Sequence, residues 1–245
     1  MHKLHILAIA AHPDDVELGC AGTLMNHIAM GQKVGIVDLT QGELGTRGTA
    51  ETRKQEAADA AAVIGVTIRM NAGMADGFFK NDEAHLRKLI PYIRHFQPEI
   101  VIANALSDRH PDHGRGGKLI ADACFFAGLM KIETEWEGIP QLPWRPKRVF
   151  HMVQDRDITP TFIVDITATH KRKIESILCY KTQFYNPAGS DEPHTYIAGS
   201  SFINNIINRD ALTGKKIGTD FAEGFVSENI PGIANLDQLI LPVMP

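Results

Sequence analysis

Two short clusters of histidine and aspartate contain the side chains of this sequence that are best suited to metal chemistry. The first cluster is His12-Pro13-Asp14-Asp15, and the second is the segment Ser107–His113, with the sequence SDRHPDH. Imidazole and carboxylate groups together suit Zn²⁺, and a catalytic zinc site uses three protein ligands and leaves one position open. The two clusters can therefore supply two histidines and one carboxylate to such a site.

The spacing within the clusters indicates which side chains can meet at one metal ion. If a helix begins at the first cluster, His12 and Asp15 lie three residues apart and can turn toward a common point. His113 of the second cluster is the candidate for the third ligand. Asp14 lies between the two candidate ligands of the first cluster and is expected to point away from the position of the metal ion itself. It is therefore available as a general base for a water molecule at the metal.

Two other residues of the second cluster have proposed roles in the same chemistry. His110 could polarise a carbonyl group or protonate a leaving amine, and Asp112 could orient a neighbouring imidazole. A helix cap is the competing interpretation, because aspartate after a strand commonly caps the next helix. Two clusters at two strand ends favour a catalytic metal site over a pair of capped loops. The histidines without this context are predicted to occupy ordinary surface or core positions: His2, His5, His27, His85, His95, His151 and His170.

Apolar runs that alternate with helical segments predict the elements that position the two clusters. Four runs predict buried strands of a parallel sheet: Leu4–Ala11, Lys33–Leu39, Val66–Met70 and Glu99–Ala103. Three helices are predicted between them: Val16–Met30, Ala50–Ile64 and Asp82–Phe96. This alternation predicts right-handed crossovers and a Rossmann-like, doubly wound α/β fold, in which helices flank a mainly parallel sheet.

The rest of the chain continues the pattern less regularly. Further elements are predicted in chain order: a helix after His113, strands near Arg148–Val153 and Thr161–Ile166, and helices at Thr169–Phe184 and Tyr196–Asn208, the last two joined by the loop NPAGSDEPH. The sequence contains no repeat, low-complexity tract or long linker. Residues 1–245 are therefore predicted to form a single domain with a small C-terminal subregion over the binding cleft.

The two clusters are predicted to meet at one edge of the sheet. In an open α/β sheet, ligands bind beyond the carboxyl ends of the strands, where loops enter the helices that follow. The first predicted strand runs directly into His12, and the fourth is followed by the cluster that contains His113. The fold and the chemistry of the clusters thus predict the same place for the site.

Composition and charge narrow the functional class. The chain has 245 residues, of which 44% are hydrophobic and 22% charged, as is typical of a globular protein with a sizeable core. The net charge of −4 offers no basic surface for nucleic acid or anionic lipid. The apolar runs are too short to cross a bilayer, and no signal-peptide pattern is present. The three cysteines lie in apolar stretches. A cytoplasmic protein without nucleic-acid or membrane partners is expected.

A resemblance to a known family follows from the same motifs. AHPDDVELGCAGTL (residues 11–24), together with HPDH (residues 110–113), resembles the LmbE-like, or PIG-L, family of zinc-dependent N-acetylglucosaminyl deacetylases. In that family AHPDD is usually followed by glutamate, whereas this chain has Val16 and then Glu17. This variant and the segment TQGELGTRGTAETRKQEA (residues 40–57) are similar to the bacillithiol-biosynthesis branch, whose members deacetylate N-acetylglucosaminyl malate.

The resemblance implies a role for each residue of the two clusters. It implies Zn²⁺ bound by His12, Asp15 and His113. It also implies that Asp14 is the base and that His110 is the imidazole beside the tetrahedral oxyanion.

Further residues and partners are implied in the same way. Arg53 matches a family arginine that is expected to contact the substrate, and Asp112 is taken as a partner that supports the ligands. From its position alone, Arg53 is more typical of a solvated arginine on a helix surface. The resemblance also implies a small-molecule N-acetyl sugar as substrate and a homo-oligomer, such as a hexamer.

Three alternatives remain open at this point. The chain could deacetylate another N-acetyl sugar, such as free N-acetylglucosamine or a chitin disaccharide, with the same metal site. It could be a binding module that retains the fold without catalysis, although the complete set of His, Asp and His beside Asp14 argues against this. A nucleotide-binding protein is disfavoured, because HPDD follows the first strand where a glycine-rich phosphate turn would be needed.

Overall fold

The central strands are almost entirely apolar because the sheet is covered on both faces. The computed structural model describes residues 3–184 and 193–241. The strands in chain order are β1 (Ile6–Ala10), β2 (Val34–Thr40), β3 (Ile68–Met74), β4 (Ile100–Ala103), β5 (Glu135–Trp136), β6 (Ile139–Pro140), β7 (Arg148–Met152), β8 (Phe162–Asp165) and β9 (Ala222–Val226). Every residue of β1 and β2 is buried. Such a continuous apolar run is the pattern that a doubly covered parallel strand requires.

Seven of these strands form one sheet in the order β3-β2-β1-β4-β7-β9-β8, and β5 pairs with β6 in a separate hairpin. The pairs β1–β2, β1–β4, β2–β3 and β4–β7 are parallel, whereas β9 runs antiparallel to both β7 and β8. The predicted fold class, a mainly parallel sheet in an α/β architecture, is therefore confirmed.

Helices cover both faces of the sheet. They are α1 (Asp15–Gly19), α2 (Ala21–Ala29), α3 (Ala50–Ile64), α4 (Glu83–Phe96), α5 (Pro111–Ala127), α6 (His170–Ile177) and α7 (Ser200–Lys215), with short 3₁₀ helices at Tyr196–Ala198 and Leu236–Leu239. Successive residues of β1 enter opposite cores, Leu7 and Ile9 on one face and Ile6 and Ala8 on the other. A third apolar cluster lies between α3, α6 and α7. No helix within residues 3–184 and 193–241 is long and apolar enough to span a membrane.

The predicted helix Val16–Met30 is wrong in one respect, because the chain breaks at Cys20 into α1 and α2. Cys20 has a φ of −151°, and the Glu223 carboxylate accepts hydrogen bonds from the first backbone amides of α2, those of Gly22 and Thr23. A carboxylate at a helix N-terminus satisfies amides that lack a partner within the helix. The second helix therefore obtains its cap from a residue about 200 positions later in the chain, which local sequence could not indicate.

Two other predicted helices differ at their ends. The helix predicted for Thr169–Phe184 ends at Ile177 and continues as turns, and the one predicted for Tyr196–Asn208 starts as a 3₁₀ turn before α7 extends to Lys215. Most of the predicted loop NPAGSDEPH, residues 186–192, lies outside the described residues.

A buried ion cluster joins the C-terminal elements to the sheet. The Lys173 ammonium of α6 lies 2.7 Å from the Asp210 carboxylate of α7 and 2.9 Å from the Glu223 carboxylate of β9, and all three side chains are at most 1% exposed. Removing one partner from such a cluster leaves buried charge uncompensated.

We expect Lys173→Met to lower the free energy of unfolding by about 3–5 kcal/mol, because Asp210 and Glu223 would lose their shared cation. Urea denaturation would measure the change. Lys171→Met, at an exposed position of the same helix, is the matched control and should have little effect. Equal stabilities of the two variants would contradict a role for the cluster in holding the C-terminal elements.

Candidate metal and catalytic site

The two clusters identified in the sequence meet at the carboxyl end of the sheet. Because β1 and β4 are paired neighbours, the loops that follow them lie side by side. The ring centres of His12 and His110 are 4.7 Å apart, those of His12 and His113 are 5.6 Å apart, and those of His110 and His113 are 5.2 Å apart. The structure thus brings together three imidazoles, although His12 lies about 100 positions before the other two in the chain.

Asp15 lies between two of these imidazoles. One carboxylate oxygen is 2.9 Å from His113 Nε2, and the other is 3.5 Å from His12 Nδ1. The Asn104 amide donates to one oxygen at 3.0 Å, and the Gln154 amide donates to the other at 3.1 Å. These two amides fix the orientation of the carboxylate, and neither was predicted from the sequence.

The outward-facing nitrogens of both imidazoles are held by other carboxylates. His113 Nδ1 lies 2.5 Å from Asp108 Oδ2, and His12 Nε2 lies 3.0 Å from Asp76 Oδ1. Asp112, predicted to orient an imidazole, has its Oδ2 at 3.4 Å from the same nitrogen of His12. Carboxylates placed in this way fix the orientation of metal-binding histidines and leave the other ring nitrogen facing the metal.

Asp76 and Asp108 are functional candidates that the sequence analysis missed. Asp108 stands inside the second cluster, so its position next to the histidines was a usable signal. Asp76 follows β3, and the rule that sites form beyond strand ends would have included it.

The charges of the site favour a bound cation. Five carboxylates surround the imidazoles: Asp14, Asp15, Asp76, Asp108 and Asp112. Although burial lowers the pKa of His113, Asp15 and Asp108 raise it to about 9. Burial would raise the pKa of Asp15, but His113 and His12 hold it well below its usual value. A divalent cation held between these groups would compensate this excess of buried acid.

Two other sets of possible ligands occur among the described residues. Nitrogens of His12, His110 and His113 lie within 4.8 Å of one another, and so do a His12 nitrogen and oxygens of Asp76 and Asp112. The carboxylates of the second set already accept backbone hydrogen bonds. Asp112 accepts one from the Gly77 amide at 2.8 Å, and Asp76 accepts one from the Leu44 amide at 3.0 Å.

The donor set that faces the pocket is chemically suited to zinc. His12 Nδ1, His113 Nε2 and the Asp15 carboxylate provide two borderline nitrogens and one oxygen, which is a usual combination for catalytic zinc. All three residues line a cavity of about 180 Å³ that is open at the mouth, whereas Asp76 and Asp112 do not line it. We therefore regard these three residues as the candidate ligands and the two outer aspartates as their supports.

Asp14 points into the same cavity from a strained backbone. It precedes α1 with a φ of 122°, a region that residues other than glycine rarely adopt. Burial raises the pKa of its carboxyl group to about 7, while the nearby Arg53 opposes that rise. A carboxyl group with a pKa near neutrality is matched to proton transfer, as a general base requires.

His110 caps α5 with its side chain. Its Nδ1 accepts a hydrogen bond from the backbone amide of Asp112 at 3.3 Å. Burial and the neighbouring His12 and His113 lower the pKa of His110. A neutral ring whose Nδ1 accepts carries its proton on Nε2. His110 therefore presents an N–H donor to the cavity that it lines.

Arg53 is buried, so the interpretation of it as a solvated surface residue is wrong. Its side chain is 6% exposed, and Nη2 donates to the Pro13 carbonyl at 2.9 Å and to Asp14 Oδ2 at 3.2 Å. Its Nε is buried without a hydrogen-bond partner in the described part of the chain, and the residue lines the cavity. Arg53 is thus a direct neighbour of the proposed base.

Replacing Asp108 by asparagine should weaken metal binding by about 10–100-fold, because His113 would lose the carboxylate that orients its ring. Competition with a chromophoric chelator would measure the affinity. Asp122→Asn is the matched control, since Asp122 is on the helix that carries His113 and its side chain contacts Lys118 and Asn81 outside the site. An affinity for the Asp108 variant equal to that of the control would rule out this supporting role.

Comparisons with known proteins identify similar sequences and structures. The sequence model of the PIG-L family, described as GlcNAc-PI de-N-acetylase, matches residues 7–124, which contain both clusters. The chain is 35% identical over 182 residues to the uncharacterized deacetylase YaiS of Escherichia coli (strain K12), an alignment that covers 69% of this chain and 90% of YaiS. The conserved protein TT1542 of Thermus thermophilus has the same fold, with a TM-score of 0.83, 35% identity and coverage of 94% of this chain and 97% of that one.

More distant relatives have two different activities. The diacetylchitobiose deacetylase of Thermococcus kodakarensis is 25% identical over 189 residues, which cover 73% of this chain and 70% of that protein. The 4-oxalmesaconate hydratase of Pseudomonas putida is 24% identical over 193 residues, which cover 72% of this chain and 73% of that protein.

Proposed function

The chain belongs to the PIG-L family, and we propose that it is a zinc-dependent hydrolase that removes the acetyl group from an N-acetylglucosaminyl compound. The observation that carries this proposal is the contact of the Asp15 carboxylate with both His113 Nε2 and His12 Nδ1, with Asp14 in the same cavity. Amide hydrolysis needs an activated water and a proton acceptor together, and this arrangement provides both.

The metal and the residues would have separate tasks. A Zn²⁺ ion held by His12, Asp15 and His113 would supply Lewis acidity to the acetyl carbonyl and to the attacking water. Asp14 takes the proton from that water, and Arg53 holds the Asp14 carboxylate in position. His110 donates its Nε2 proton in a hydrogen bond to the oxygen of the tetrahedral acyl intermediate. The departing amine then receives a proton, either from Asp14 or from His110.

The substrate that we propose is N-acetylglucosaminyl malate, as in bacillithiol biosynthesis. The segment of residues 40–57 supports this choice through its similarity to that branch. The arginines that line the cavity, Arg53, Arg109 and Arg209, are each paired with an aspartate, and their remaining N–H groups can donate to the carboxylate of an anionic substrate. The net charge of the chain is −4, so attraction of an anion must come from such local groups and from the metal.

Several broader properties belong to the same proposal. All three cysteines are free thiols, which is consistent with the proposed cytoplasmic location. The C-terminal segment exposes large apolar side chains, including Ile230, Leu236 and Ile240, which favours the proposed homo-oligomer.

Hydration of a carbon–carbon double bond is the second candidate, because one relative is named a hydratase. That reaction also needs an activated water, so the metal site does not by itself distinguish the two reactions. An N-acetyl sugar as substrate is favoured by the similarity to two relatives named deacetylases.

A substrate panel would test the proposal. Zinc-loaded protein is incubated with N-acetylglucosaminyl malate, free N-acetylglucosamine, diacetylchitobiose and 4-oxalmesaconate, and acetate is quantified together with loss of 4-oxalmesaconate. We expect acetate from the N-acetyl sugars, with the highest kcat/KM for the malate compound. Turnover of 4-oxalmesaconate without any acetate would favour the hydratase instead.

A further inference from the structure

A second and larger cavity adjoins the catalytic one. The catalytic cavity measures about 180 Å³, and its neighbour measures about 820 Å³. Pockets for small molecules usually measure about 300–1,000 Å³, so the larger cavity alone has the size of a complete ligand site. We call it the side cavity, and it is bounded by α7, β9 and residues 153–160.

The two cavities share one wall. Five residues line both of them: Gln154, Asp155, Phe202, Ile206 and Arg209. The Arg209 guanidinium donates to the Gln154 carbonyl at 3.0 Å, and the Gln154 amide in turn donates to the candidate ligand Asp15 at 3.1 Å. A residue that lines the side cavity, Gln154, therefore contacts a candidate metal ligand directly. A molecule bound at the metal that is larger than one sugar can extend into it.

The lining of the side cavity is suited to hydroxyl and carboxylate groups. Asn205 and Asn208 are exposed on one face of α7, and their side-chain amides form no hydrogen bond with the residues that the structure describes. Arg156 and Asp157 line the same cavity and are also exposed. Amide, guanidinium and carboxylate groups together can donate to and accept from a polar ligand. Asp210 and Glu223 at the base of the cavity are already paired with Lys173.

We propose that the side cavity binds the polar group attached to the N-acetyl sugar, which is either a second sugar or a hydroxy acid. This inference rests on the proposed function, since it assumes that the acetamide of the substrate is held in the catalytic cavity. The side cavity would then determine which N-acetylglucosaminyl compounds are good substrates. Free N-acetylglucosamine would leave it empty and would be turned over less efficiently.

Asn205→Trp tests this assignment by filling the side cavity. We expect it to lower the kcat/KM of diacetylchitobiose or N-acetylglucosaminyl malate at least about tenfold relative to that of free N-acetylglucosamine. A larger loss for the disaccharide would identify a second sugar as the natural group, and a larger loss for the malate compound would identify a hydroxy acid. Asn204→Trp is the matched control, because Asn204 is the exposed neighbour on α7 and lines neither cavity.

Calorimetric titration of zinc-loaded Asp14→Asn protein, which should bind substrate but hardly turn it over, provides a readout that does not depend on turnover. In this background we expect Asn205→Trp to weaken the binding of at least one of the two larger compounds about tenfold, and Asn204→Trp to bind both like the single Asp14→Asn variant. If the two variants bind both compounds equally well, the side cavity is not the binding site. Failure of the proposed function would be recognised separately, because no acetate would then be released from any compound by the unchanged protein.

Discussion

Asp14→Asn should bind zinc with unchanged stoichiometry and lose about 10²–10⁴-fold in kcat. Asparagine has the shape of aspartate but cannot accept the proton of the attacking water at neutral pH, and general-base catalysis contributes about that factor. The strained backbone at this position, with a φ of 122°, should survive the change, because asparagine tolerates positive φ at least as well as aspartate. Metal analysis and steady-state kinetics on one N-acetyl sugar would measure both quantities.

Asp59→Asn is the control for this substitution, since Asp59 is exposed on α3 and its carboxylate contacts only Gln55 among the described residues. It should retain full activity. An Asp14 variant as active as this control would refute the assignment of the base. A variant that also lost its zinc would place Asp14 among the ligands.

His113→Ala should lower the metal content, whereas His110→Ala should leave it unchanged. His113→Ala removes a ligand, so we expect zinc affinity to fall by more than the roughly 10–100-fold that loss of a supporting carboxylate causes. His110→Ala removes only the donor to the oxyanion, so zinc should stay bound while kcat falls about 10²–10³-fold. Elemental analysis after gel filtration, followed by kinetics at saturating zinc, would separate the two effects.

This pair of variants decides between the two ligand sets that contain both His12 and His113. The three imidazoles are close enough to bind one ion without Asp15. If His110→Ala lost zinc as completely as His113→Ala, the three-histidine set would be correct and His110 could not act as the oxyanion donor. Retention of zinc by His110→Ala alone would support Asp15 as the third ligand.

The sequence predicted those parts of the fold and site that depend on local pattern. The first four strands, the doubly wound class and the meeting of the two clusters follow from apolar runs and from the rule for strand ends. Both clusters lie next to strands β1 and β4, so their residues could be recognised before their geometry was known.

Parts of the site that depend on distant contacts could not be predicted in this way. Gln154 is an ordinary residue in the sequence, and only the pairing of β4 with β7 places it beside Asp15. The burial of Arg53 has the same origin, because the Asp14 carboxylate and the Pro13 carbonyl that it contacts are about 40 positions earlier in the chain. A helix-surface arginine becomes a site residue only when the fold is complete.

The central claim is that this site hydrolyses an acetamide with a bound metal, and one measurement tests it most directly. Protein freed of metal by chelation and protein reconstituted with one equivalent of zinc are each incubated with N-acetylglucosaminyl malate, and acetate and the free amine are quantified together. The account predicts equal amounts of acetate and amine from the reconstituted protein and almost none from the metal-free protein. Equal product from both samples, or none from the reconstituted protein with this or any other N-acetyl sugar, would contradict it.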